Sequence, residues 1–229
     1  DGGLFGGAAG WQQANGTATM ILARSTDPGA TYVVELYFLN PVGGQQGATN
    51  VSIEAVGAGG ASLIPRESAD VAGGKFTPFL VAALTVKRVG QSSTGAGLSN
   101  NVTVTLSANM DLEGRFRHKV TITGLTGSST GGTNARLPLY PPGGTPFLSY
   151  VRWFASSGKA VMTLMGDDMQ ASREYAVSFT LNNSRTPQDP PQVYMQASFI
   201  RLDARGTLIS KQLVDPGPGP NAPLLITRW

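Results

Sequence analysis

Apolar and polar residues alternate most regularly between positions 101 and 128. Val102, Val104 and Leu106 interleave with Thr103, Thr105 and Ser107, and Phe116, Val120 and Ile122 interleave with Arg117, Lys119, Thr121 and Thr123. A period of two marks half-buried strands with one apolar face. Turn-forming residues fill 109–114, and Gly124, Gly127, Gly131 and Gly132 close the second run. The pattern predicts a hairpin, or two neighbouring strands of a β-sandwich.

The same patterning occurs twice along the chain. Trp11, Gly16, Ala18, Met20 and Leu22 recur 142 positions later as Trp153, Gly158, Ala160, Met162 and Leu164. At that offset Phe5 matches Phe147, Leu39 matches Leu181, Asn40 matches Asn182, Gln46 matches Gln188, Val51 matches Val193 and Ala55 matches Ala197. Each copy predicts a tryptophan, a short strand, a polar loop and a longer alternating strand. That longer strand carries Tyr32, Val34, Leu36 and Phe38 in one copy and Tyr175, Val177, Phe179 and Leu181 in the other. A turn at Asn40 or Asn182 leads to a further strand through Val51, Ile53 and Ala55, or Val193, Met195 and Ala197. Repeats of this kind imply stacked units of one architecture.

The expected fold is therefore all-β, with tandem immunoglobulin-like antiparallel sandwiches. Residues 88–229 form a complete unit and residues 1–87 a partial or smaller one. The phase of the repeat reads as a piece of a longer repetitive protein, with the strands lacking from 1–87 supplied by an adjacent copy. Pro-rich segments at 138–146 and 216–223 are expected to be ordered crossovers.

Composition narrows the function. Gly (30) and Pro (15) are abundant and charged residues make up 14%, which suits a turn-rich β-protein. The net charge of +3 is spread along the chain, which is not the footprint of a nucleic-acid interface. The apolar run 79–86 is too short to span a bilayer. Cys is absent, so thiolate chemistry and disulfides are excluded.

No enzyme, cofactor or metal is expected. His118 is the single histidine, and a place at the sandwich rim explains it better than a catalytic triad. Asp111 with Glu113, and Asp167 with Asp168, fall in predicted turns, where Asp serves the backbone; a calcium site at the second pair would need several more oxygen ligands from distant loops. Arg115, Arg117 and Lys119 at alternate strand positions would form a comb of cations about 6–7 Å apart, fit for sulfate or carboxylate groups of an acidic polysaccharide. Against this stands a solvated face that discourages strand pairing. Trp11 and Trp153 are expected in the core rather than as sugar platforms, and Trp229 has no counterpart. Four N-x-Ser/Thr sequons, at Asn15, Asn50, Asn101 and Asn182, would accept glycans on a secretory route.

The runs NNVTVTLSANMDL, KVTITGLTGSSTG and YVVELYFLNPVGGQQGATNVSIEA resemble a repeat module found many times over in very large predicted surface or secreted proteins of microalgae and related protists. Asn101 to Leu106, Val120 to Gly127, Asn40, Pro41, Gln46 and Val51 to Ala55 carry the likeness, and Asn183 and Ser184 depart from its Asn-Pro turn. The resemblance implies an extracellular, structural or adhesive setting, and the repeat makes neighbouring copies of the same protein the expected partners. It carries no catalytic residues.

Overall fold

The computed structural model describes residues 3–41, 43–71, 77–141, 145–200, 205–215 and 222–227. All regular structure among them is β-strand, apart from two short 3-10 turns, and every strand pairing is antiparallel. The all-β architecture expected from the alternation is what the chain adopts. By its internal contacts the chain divides into residues 1–40 and 41–229.

The N-terminal unit is one hairpin, β1 (Phe5–Gln12) with β2 (Thr17–Leu22). Residues 30–40, predicted as a strand on the strength of Tyr32, Val34, Leu36 and Phe38, are not in a strand and are exposed throughout. Their counterparts 175–182 do form a strand, which pairs along its length with residues 99–106. The second unit begins with another hairpin, β3 (Ser52–Val56) and β4 (Ser62–Ser68).

The rest of the second unit is a sandwich. One sheet has three strands in the order β11 (Tyr175–Asn182), β6 (Ser99–Ala108), β5 (Leu84–Gln91). The other has six, in the order β13 (Arg205–Leu213), β12 (Tyr194–Ile200), β7 (Lys119–Thr123), β10 (Lys159–Thr163), β9 (Tyr150–Phe154), β8 (Thr133–Pro138). The hairpin alternative for 101–128 does not form, because β6 and β7 lie in different sheets. Their apolar faces nonetheless meet in one core: Val102, Val104 and Leu106 from the first sheet and Val120, Ile122, Trp153, Met162 and Met195 from the second are all fully buried. The junction expected at 87/88 falls inside the continuous strand β5. Of the Pro-rich segments, 142–144 and 216–221 lie outside the described residues.

Several bonds of one copy recur in the other. Phe5 faces Leu22 and Trp11 faces Ala18, as Phe147 faces Leu164 and Trp153 faces Ala160. Tyr32 Oη accepts from the Asp27 amide (2.8 Å), as Tyr175 Oη accepts from the Gln170 amide (3.0 Å). Ser52, Ile53 and Ala55 face Ser68, Glu67 and Ile64, and Tyr194, Met195 and Ala197 face Leu213, Gln212 and Ile209, with irregularities at the same two places. The match therefore extends to β4 and β13, which sequence identity does not reveal, because only the inward alternation and the bulges are shared there. Gln45, rather than Gln46, is the counterpart of Gln188. Each sends its Nε2 to the carbonyl of a left-handed residue, Phe79 or Leu224, at 3.0 and 2.9 Å. Each also exchanges backbone bonds two residues further on, with Val81 or Ile226.

Candidate functional site

The predicted comb of cations does not exist as such. Residues 114–116 form a 3-10 turn and Arg117 is left-handed, its N–H returning to Gly114 O; β7 starts at Lys119. The loop closes because the Gly114 amide donates to Asp168 Oδ1 (2.8 Å) and its Cα packs against the backbone of Gly166 and Asp167, where a Cβ would clash. Arg115 pairs with Glu113 and stacks over Phe116. The alternation misled because inward parity continues through Phe116, His118, Val120 and Ile122 although the backbone has left the strand.

The other predicted groups serve the fold. Asp168 accepts from Gly114, and Asp111 Oδ1 accepts from the Ala171 amide. These turn carboxylates thus tie neighbouring loops together, and no group of three or more acidic or histidine side chains is placed for a metal among the described residues. His118 is buried, edge-on to Phe116 at 5.9 Å between centroids, and so lies in the core margin rather than at an open rim. Trp153 is fully buried and donates Nε1–H to Thr130 O (3.0 Å). Trp11, its repeat counterpart, is 42% exposed and packs against the edge of Phe38 at 4.7 Å. Trp229 lies outside the described residues. Asn15, Asn50, Asn101 and Asn182 are all exposed. A cleft of about 520 Å³ near Gln45, Ala83, Lys87 and Asn109 is bounded by structural bonds, with Asn109 Nδ2 on the Gln45 and Val81 carbonyls and Lys87 paired with Asp215.

Two features escaped the sequence reading. One is a buried amide cluster: Asn100 Nδ2 donates to Gln91 Oε1 and Asn183 Oδ1, both at 2.8 Å, and Asn183 Nδ2 donates to the Ser93 and Gly95 carbonyls. It locks the end of the three-stranded sheet to the loop beyond β5.

The other is the outer face of the six-stranded sheet. Its strands carry Lys119, Arg136, Arg152, Lys159 and Lys211 there, and no Asp or Glu lies in them. Arg136 lies opposite Arg152 across β8 and β9, an arrangement that costs stability unless an anion or solvent intervenes. Arg136, Lys159 and Lys211 lean over Tyr150, Phe154 and Tyr194, with the charge 4.2–4.7 Å from the ring centres. The face belongs to the second copy alone. The counterparts of Tyr150, Arg152, Phe154 and Lys159 are Ala8, Gly10, Gln12 and Thr17. At the counterparts of Gln196 and Lys211, Glu54 and Arg66 neutralise one another at 2.9 Å. Outward residues carry no signal of their own until the sheet order brings them together.

No family model matches the chain, and no curated protein sequence does. Among solved structures it is similar to a GH20 exo β-N-acetylglucosaminidase from Vibrio harveyi in complex with N-acetylglucosamine, at 12% identity and a TM-score of 0.34. That alignment covers 65% of this chain and 19% of the other.

Proposed function

We propose that the chain is a structural repeat protein of an extracellular assembly, such as a filament, surface hair, sheath or cell wall, in which β-units meet through their sheets. The observation that carries this reading is the duplication itself. Two copies keep the same hairpins, bulges and anchoring glutamines, which is how an array of like units is built. The exposed sequons suit a secreted glycoprotein, and the resemblance to large algal surface proteins and to immunoglobulin-like tandem units belongs to the same proposal. On this reading the sheets carry load and catalyse nothing. Electron microscopy of native material tests it: regular filaments or layers with a spacing set by the unit are expected, and dispersed monomers at all concentrations overturn it.

A second reading, an adhesion module for an acidic polysaccharide, is favoured by the acid-free basic and aromatic face. Arginine binds sulfate and carboxylate in bidentate fashion, and the rings beneath offer planes for sugar. Lys119 is the one residue of the predicted triplet in the strands of this sheet. Replacing Arg136, Arg152 and Lys159 with Ser should abolish retention on a sulfated-glycan column at moderate salt. Replacing Arg115 and Arg117 should not. Equal retention of both variants removes this reading.

A further inference from the structure

The strand register sets the basic side chains of the six-stranded sheet in a definite array. Arg152 faces Arg136 on one side and Val161 on the other, Val161 faces Thr121, and Thr121 faces Gln196. The bulge between the pairs Met195 with Gln212 and Ala197 with Ile209 brings Lys211 beside Gln196. This row is on the outer side, because residues that alternate with it, Trp153, Met162, Ile122 and Met195, are fully buried. It crosses all six strands in steps of about 4.8 Å, about 24 Å from end to end. Lys159 and Lys119 stand two residues from Val161 and Thr121 on opposite sides of the row, since Lys159 faces Phe154 and Lys119 faces Thr163. The middle of the row is therefore a low floor of Val161 and Thr121 between two lysines, with two arginines at one end and a lysine at the other. Tyr150, Phe154 and Tyr194 hold Arg136, Lys159 and Lys211 against their rings, which orders these charges in advance. Among the described residues no carboxylate pairs with any of the five cations.

We infer that this row is the track of a linear sulfated polysaccharide lying across the strands, one sugar to each strand, with a sulfate ester held between Arg136 and Arg152. The inference rests on the reading of this face as an acidic-glycan site and names the direction, length and anion of the ligand. Direction follows from spacing. The step between neighbouring strands is close to the length of one pyranose residue, so a chain crossing the sheet brings its charges to successive strands. A chain running along β8 or β9 would meet the arginines and never reach Lys211. The anion follows from the arginine pair. Directly opposed residues have Cβ atoms about 4.5–5.5 Å apart, and a sulfate ester has three terminal oxygens in a tetrahedral array, enough to accept from both guanidiniums at once. A planar carboxylate has two, and one guanidinium fork uses both. A bound sulfate also removes the repulsion between the two like charges. Along the floor, the Thr121 hydroxyl and the Gln196 amide remain for sugar hydroxyls.

The test uses the full chain with linear galactan oligomers of two and six sugars bearing one sulfate per sugar, beside oligogalacturonates of the same lengths. Calorimetry at low salt should find the sulfated hexamer bound about tenfold more tightly than the sulfated dimer, and about tenfold more tightly than the galacturonate hexamer. Lys211→Ser should weaken the sulfated hexamer by about threefold to fivefold and leave the dimer unchanged, because only a chain that crosses the sheet spans both ends of the row. Arg152→Ser should weaken dimer and hexamer alike by about tenfold. Four outcomes overturn the inference: equal affinity for dimer and hexamer, a hexamer indifferent to Lys211→Ser, galacturonate bound as tightly as the sulfated chain, or tighter binding of a single-stranded polynucleotide. Acidic oligomers that bind with the wrong dependence on length or anion overturn the inference alone. If neither series binds, the acidic-glycan reading falls with it.

Discussion

Trp11 and Trp153 occupy one position of the repeat in two environments, and their mutational costs should separate accordingly. Trp153→Ala removes a fully buried ring and leaves the Thr130 carbonyl without its indole donor, for a loss of about 3–5 kcal/mol in urea denaturation. Trp11→Ala, at 42% exposure, should cost less than about 1 kcal/mol. Asn100→Ala should cost about 2–3 kcal/mol by the same measurement, since it removes the donor to the buried Asn183 oxygen and the side-chain acceptor of the Ser93 amide, while the Ser92 amide keeps the Asn101 carbonyl. Glu54 titrates below the ordinary carboxylate range, because Arg66 hydrogen-bonds and attracts its charged form. Any support the pair lends the β3–β4 hairpin is thus present above that ordinary range and disappears as pH falls through the lowered value. NMR titration should find the Glu54 midpoint depressed, and Arg66→Ala should raise it back.

At the scale of the element, the turn between the Trp strand and the next one is governed by a left-handed glycine in both copies, Gly16 at φ 66° and Gly158 at φ 55°. Alanine at either site forces a side chain into a region that costs about 1–2 kcal/mol. At 158 the new Cβ would also meet the Leu125 carbonyl at 2.6 Å, whereas nothing lies within 4 Å at 16. Thermal melts should therefore show Gly158→Ala as the more damaging change by about a further 1–3 kcal/mol. The sequence identified both glycines as equivalent. Their different costs are invisible there, because they depend on Leu125, which is distant in sequence and adjacent in space.

For the whole molecule, stability should be strongly uneven. Among the described residues, every apolar residue of the buried core falls between positions 83 and 226. Native-state hydrogen exchange should accordingly find β6, β7, β10 and β11 opening only on global unfolding, while β1, β2, β3 and β4 exchange far faster in the isolated chain. Comparable protection in both regions would contradict the described burial. In an assembled state the fast segments should slow, which links this measurement to the function proposed for the repeat.

Alternation, glycine placement and internal similarity were enough to read an all-β chain, its inward faces and most of the equivalences between its copies, since these depend on local periodicity. Tertiary structure decided which strands become neighbours. It sent β6 and β7 to different sheets, turned Arg115 and Arg117 out of the strand, and gathered Arg136, Arg152 and Lys159 onto one face. It also left residues 30–40 without strand structure, although Tyr32, Val34, Leu36 and Phe38 alternate as well as Tyr175, Val177, Phe179 and Leu181 do. A strand needs a partner for its backbone bonds and a facing surface for its side chains, and a local pattern specifies neither.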